Sequence, residues 1–184
     1  AYQHSLLALI EHCAAKATTE TTPVDLSYKE LSIDELQVLV KEYPLKDIYR
    51  LSPMQEGMLF HALMDKGTQA YFEQVSYRLE GTLEIDAIKK SLSFIQSRYD
   101  IFRTVFDHEK KAIPLQIVLK ERDIDFTYLD VRKKKKKALW LERYKEQDRS
   151  RGFDLKRDCL LRVSVLYLGG NEHEFIWSFH HILM

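Results

Sequence analysis

Two adjacent histidines, His180 and His181, follow Trp177-Ser178-Phe179. Imidazole is the side chain best suited to accept or share a proton near neutral pH. The residues leading to the pair read as a strand, in which neighbouring side chains point to opposite faces. One ring then faces a cleft while the other faces the interior, an arrangement that suits one reactive imidazole backed by a buried one. Two ordinary polar residues at a strand end also fit the dipeptide, because a motif takes its meaning from its surroundings. Other chemistry is poorly provided for. His173, His180 and His181 are close in sequence but lack the shared face or knuckle spacing of a zinc site, so no metal is expected. No Gly-x-Ser-x-Gly elbow occurs, and neither cysteine has a nucleophile's setting. The glycines Gly57, Gly67, Gly81, Gly152, Gly169 and Gly170 are scattered, so no phosphate-binding loop is expected.

The elements that must position the histidines can be read from periodicity. Leu6, Leu7, Leu9, Ile10, Cys13 and Ala14 predict an amphipathic helix over residues 1–16. The polar stretch 17–23, closed by Pro23, has the composition of a linker. Ser32 and Glu35 form the capping box of a short helix with a Leu36, Leu39, Val40 stripe, ended by Tyr43-Pro44. Ser52-Pro53 starts another helix, with Met54, Met58, Leu59, Ala62 and Leu63 on one face. Val75, Tyr77 and Leu79 alternate with Gln74, Ser76 and Arg78, which predicts a strand over 72–79 that Gly81 stops. Helical spacing returns through Ile88, Leu92 and Ile95. Strands are expected over 103–106, 115–119 and 124–129, the first two joined by a polar turn containing residues 108–111. The lysine run 133–137 reads as a solvated loop or helix start. Gly169-Gly170-Asn171 joins runs 160–168 and 174–179 into a hairpin. This order predicts an α+β fold, with helices packed on a mostly antiparallel or mixed sheet.

The 184 residues carry 28 basic and 28 acidic side chains, and 45% of them are hydrophobic. That is one domain of ordinary size, or one lobe of a larger one, with enough apolar material for a core. The charge balance argues against a nucleic-acid binder. No apolar run approaches the roughly 20 residues of a membrane span. With no signal peptide in view, and Cys13 and Cys159 far apart, a reduced cytoplasmic protein is expected.

Three stretches, in order, resemble the condensation domains of non-ribosomal peptide synthetases. They are Leu51-Ser52-Pro53-Met54-Gln55-Glu56-Gly57-Met58-Leu59-Phe60-His61, then Arg98-Tyr99-Asp100-Ile101-Phe102-Arg103-Thr104-Val105-Phe106, then Ser178-Phe179-His180-His181-Ile182-Leu183-Met184. The third resembles the start of the family's His-His-x-x-x-Asp-Gly signature, whose Asp and Gly would follow Met184. The resemblance covers residues 43–184 and implies a chloramphenicol-acetyltransferase-like lobe. Residues 46–184 would be the donor-side N-terminal lobe, cut within the signature. Residues 1–45, through Ser5-Leu6-Leu7, Glu11-His12-Cys13 and Leu31-Ser32-Ile33-Asp34-Glu35-Leu36, resemble the closing helix of an upstream epimerization domain and its linker, the alternative being an upstream condensation domain with a similar tail. Met54 to His61 and Arg98-Tyr99-Asp100 resemble the subtype that takes a D-configured donor.

The resemblance implies amide formation between donor and acceptor thioesters on phosphopantetheine arms of peptidyl carrier domains. No cofactor is bound directly. Epimerization and adenylation domains would be neighbours, with no nucleic acid and no membrane. His181 would position or deprotonate the acceptor amine. His180 would be structural, and Arg103 would make a structural ion pair whose usual partner in the family is the signature aspartate. The 184-residue chain alone would then be inactive. Two alternatives stay open: a docking module that binds carrier domains, and a coenzyme A-dependent acyltransferase lobe of the same fold.

Overall fold

The turn at Gly169-Gly170-Asn171 is built as its composition predicts, with positive φ at all three residues. It joins β6 (Leu161–Gly169) to β7 (Glu172–His180) as an antiparallel hairpin at the centre of a four-stranded sheet. The computed structural model describes residues 2–16, 20–64, 70–109 and 113–184. Ala1 of the first predicted helix, linker residues 17–19, Gly67, and Lys110 and Lys111 of the polar turn lie outside the described residues.

The larger sheet has the order β2-β7-β6-β5, with β2 at Phe72–Glu80 and β5 at Asp125–Asp130. β5 runs parallel to β6, and the other pairs are antiparallel, so the sheet is mixed as expected. A smaller sheet has the order β1-β4-β3, from β1 (Leu45–Arg50), β3 (Thr104–Asp107) and β4 (Leu115–Leu119). Among the described residues five α-helices accompany them: α1 (Tyr2–Ala15), α2 (Ile33–Glu42), α3 (Pro53–Met64), α4 (Ile85–Arg98) and α5 (Lys137–Arg151). Among the described residues no helix is long and apolar enough to cross a membrane.

The capping box of α2 forms as read. Glu35 donates its N–H to Ser32 Oγ, and its carboxylate accepts from the Ser32 N–H at 2.8 Å. From there residues 26–43 lie against the small sheet. Leu26, Tyr28, Leu31, Leu36, Leu39 and Tyr43 share one buried cluster with Ile48, Val105 and Ile117. The stretch after the linker is therefore docked on the lobe. The apolar residues of α1, by contrast, are exposed.

One reading is corrected, and another, the β2 strand, forms as read with its faces now assigned. In α3, Met54 and Leu63 are exposed, and the inward face consists of Gln55, Met58 and Leu59, with Ala62 half-buried. In β2 the alternation is present but Val75 and Tyr77 face outward, while Gln74 and Ser76 face the interior. The reason is α5, which presents charge to that face. Asp148 accepts from Gln74 Nε2 (2.7 Å) and Ser178 Oγ (2.5 Å) and pairs with Arg162 (2.6 Å). Those three residues are cross-strand neighbours on β2, β7 and β6. A buried polar row of this kind needs partners, and α5 supplies Asp148 as the shared one, while Arg162 Nη1 stays without a hydrogen-bond partner among the described residues.

Candidate active site

The histidine pair hangs on a few backbone bonds. His180 closes β7, and its N–H donates to the Leu160 carbonyl at 3.0 Å. His181 opens a 3-10 turn, His181–Leu183, and its N–H donates to the Tyr71 carbonyl at 2.8 Å. The turn is locked from a third side by α3. Gln55 Nε2 donates to the buried Ile182 carbonyl at 3.2 Å. Gln55 Oε1 accepts from the Ser52 N–H (2.9 Å) and from Gln116 Nε2 (3.3 Å). One amide thus ties the start of α3 to the turn carrying the histidines. Sequence reading did not single out Gln55. Its signal was the Ser-x-x-Gln spacing at Ser52, a second capping box.

The two rings part company. His180 is buried, and its Nδ1 accepts from the Ile182 N–H at 3.2 Å. Its ring lies 6.2 Å from that of Tyr71, which in turn lies 6.3 Å from His61. His181 is half-buried, and its Nδ1 has no hydrogen-bond partner among the described residues. Arg103 is buried in the 3-10 turn Asp100–Arg103. It pairs with Asp100 and donates to the Lys120 carbonyl at 2.7 Å, while its Nε is buried without a partner among the described residues. Asp100 also takes Lys46 Nζ at 2.9 Å, and that ammonium chiefly, with Arg103, holds its carboxyl below the ordinary range. Here the carboxylate partner of Arg103 is a residue of its own motif, and no hydrogen bond or ion pair joins Arg103 to either histidine among the described residues. No cluster of metal-ligating side chains occurs among the described residues.

Burial, helped by the neighbouring His181, pushes the His180 imidazole down to about 4. An unfolded histidine titrates near 6.5. Between these values the unfolded chain binds a proton that the folded chain refuses, so stability contributed by neutral His180 is complete above about pH 6.5 and lost as pH falls toward 4. We expect the folding free energy to fall by roughly 1.4 kcal/mol per pH unit in mid-window from this group. Chemical denaturation at stepped pH checks this against His180→Phe. A variant that keeps the wild-type slope would show that His180 is not its source.

The three motif stretches meet in one apolar cluster. Leu51, Met58 and Leu59 come from the first, Phe106 from the second, and Ile182 and Leu183 from the third, with Ile101, Phe102 and Phe179 packed against them. A family model described as Condensation domain matches residues 45–184. The chain belongs to the condensation-domain family. This condensation domain is 45% identical over 186 residues to a component of mycosubtilin synthase from Bacillus subtilis, covering 98% of the chain and 7% of the relative. It is 47% identical over 146 residues to gramicidin S synthase 2 of Brevibacillus brevis, covering 78% of the chain and 3% of the relative. The chain therefore spans a small part of these relatives' length. Its fold matches the starter condensation domain of rhizomide synthetase RzmA with a TM-score of 0.68 at 16% identity, over 76% of this chain and 35% of that one. A four-domain non-ribosomal peptide synthetase, holo-AB3403, matches with a TM-score of 0.67 at 19% identity, over 76% of this chain and 10% of that one. These likenesses carry the fold, and they agree with the α+β, chloramphenicol-acetyltransferase-like expectation.

Proposed function

We propose that this lobe belongs to an enzyme that joins a donor peptidyl or aminoacyl thioester to the amine of an acceptor aminoacyl thioester, both tethered by phosphopantetheine to peptidyl carrier domains. The observation that carries the reading is the convergence of the three motif stretches on the core under the histidine turn. In the step, the acceptor nitrogen attacks the donor carbonyl carbon. The C–N bond forms, the C–S bond breaks, the amine proton leaves, and the donor thiolate departs. Holding both partners in line supplies much of the rate. His181 is the base or orienting group for the amine, and the buried, neutral His180 supports the turn. Arg103 braces the second motif through Asp100. Residues 1–45 belong to an upstream epimerization domain and its linker, residues 46–184 to the donor-side lobe, and an adenylation domain is a further neighbour. The separated free thiols Cys13 and Cys159 suit the reducing cytoplasm.

The donor is D-configured on this reading. Its support is the composition of the first two motifs together with their placement. Met54, Phe60 and Tyr99 are 70%, 59% and 54% exposed, so the core does not dictate their identity. Amide formation by the intact parent domain, given carrier proteins loaded with D- or L-aminoacyl donors, tests this. The D-donor should react faster by at least tenfold, about 1.4 kcal/mol in the barrier; equal use of both would overturn the assignment. In the same assay the 184-residue polypeptide on its own should give no product.

A further inference from the structure

Behind the signature strand, on the side of the sheet that α5 covers, lies a cavity of about 470 Å³. Ala62, Leu63, Phe72, Phe153 and Leu155 supply apolar wall, and Phe72 stacks on Phe153 at 5.4 Å. His180 lines this cavity and His181 does not. Its size falls in the range of small-molecule sites, which combine apolar walls with a few placed polar groups.

The polar groups fix what the cavity can take. His180 Nδ1 is occupied as an acceptor by the Ile182 N–H. A neutral imidazole holding one nitrogen as acceptor carries its proton on the other, so Nε2 is the donor. That Nε2–H makes no hydrogen bond among the described residues, although the residue is 5% exposed. His108 adds a second ring, whose buried Nδ1 is also without a partner among the described residues. Two of the charges around the rim are already paired, Glu109 with Lys156 at 2.6 Å and Arg151 with Asp125 at 2.8 Å, while the Asp154 carboxylate accepts the backbone N–H of Lys156 at 2.9 Å. A guest that used Glu109 or Arg151 would have to break one of these pairs, whereas a neutral guest with one acceptor oxygen would take the His180 Nε2–H and leave both pairs intact.

We propose that this cavity is a binding site for a neutral acyl group, its carbonyl oxygen accepting from His180 Nε2–H and its apolar tail lying against Phe72, Phe153 and Leu155. The guest is either a free acyl amide or the acyl part of a thioester, which share this chemistry. The site goes beyond the amide-forming reading, since binding here needs neither a carrier domain nor His181.

The test is nuclear magnetic resonance on the 15N-labelled 184-residue chain, following the His180 imidazole nitrogens and the Ala70 and Gly152 amides. The probes are hexanamide and S-hexanoyl-N-acetylcysteamine. Saturable shifts with a dissociation constant on the order of 1 mM are expected for at least one probe. A thioester-only response assigns the site to tethered acyl groups, and a response to hexanamide assigns it to acyl carbonyls in general. His180→Phe, which keeps the ring and removes the donor, should weaken binding about tenfold. Ala62→Leu, which fills the cavity and leaves the imidazole in place, should abolish it. No shift with either probe, or shifts that persist unchanged in both variants, would overturn the proposal.

Discussion

Replacing Asp148 with alanine lowers the unfolding free energy by about 3–5 kcal/mol, the cost of leaving a buried charge without its partner. Arg162 has a side chain 4% exposed, and that of Asp148 is 9% exposed. Burial already pulls the Arg162 guanidinium below its ordinary value, with Asp148 the foremost group opposing that shift. Its Nη2 donates to the Asp148 and Gly152 carbonyls at 3.2 Å, and the guanidinium lies 4.6 Å from the Phe153 ring centre. Removing the carboxylate also leaves Ser178 without its acceptor and Gln74 Nε2 with the Lys145 carbonyl alone, so strands β2, β7 and β6 lose the one carboxylate they share on α5. Equilibrium urea unfolding measures the loss. The double variant Asp148→Ala/Arg162→Met should recover much of it, because an apolar replacement removes the stranded charge. A loss below about 1 kcal/mol would mean that the pair behaves as an exposed one.

The second large effect falls on turnover. In the intact domain, His181→Ala should slow amide formation by about 10²–10⁴-fold, the range of a positioned acid–base group. The loss should appear in kcat, with KM for the loaded carriers little changed, because in the proposed step His181 would act on the reacting amine and not on the carrier surface. Single-turnover assays with preloaded donor and acceptor carriers separate the chemical step from delivery. A loss under tenfold would place the rate in alignment of the two thioesters alone.

Local chemistry was legible from the sequence. The Ser32–Glu35 box, the Ser52-Pro53 start and the Gly169-Gly170-Asn171 turn each involve neighbours a few residues apart, and each forms where it was read. What escaped was set by distant partners. β1 has two buried residues, Leu45 and Ile48, among charged ones, and it becomes a strand by pairing with β4, some 70 residues on. The inward turn of Gln74 and Ser76 depends on Asp148, Arg149 and Glu174, which no periodicity in β2 can reveal. The histidine pair was visible as a dipeptide, and the idea of two faces follows from strand geometry. That the buried partner looks into a cavity needed the α5–β6 connection, whose Gly152 and Phe153 carry no motif. Gln55 was quoted within a motif, yet its reach to Ile182 spans 127 residues.

The docked segment from Leu26 to Tyr43 also sets a leash. With Leu26 buried on the lobe, the chain between Lys16 at the foot of α1 and that anchor has ten steps. At full extension those steps reach at most about 35 Å. Any body that α1 belongs to is thereby confined to a small sphere about a fixed point on the lobe. A tether of this length corresponds to an effective concentration in the millimolar range. Encounters between that body and the lobe are then governed by geometry and not by how much of either the cell contains.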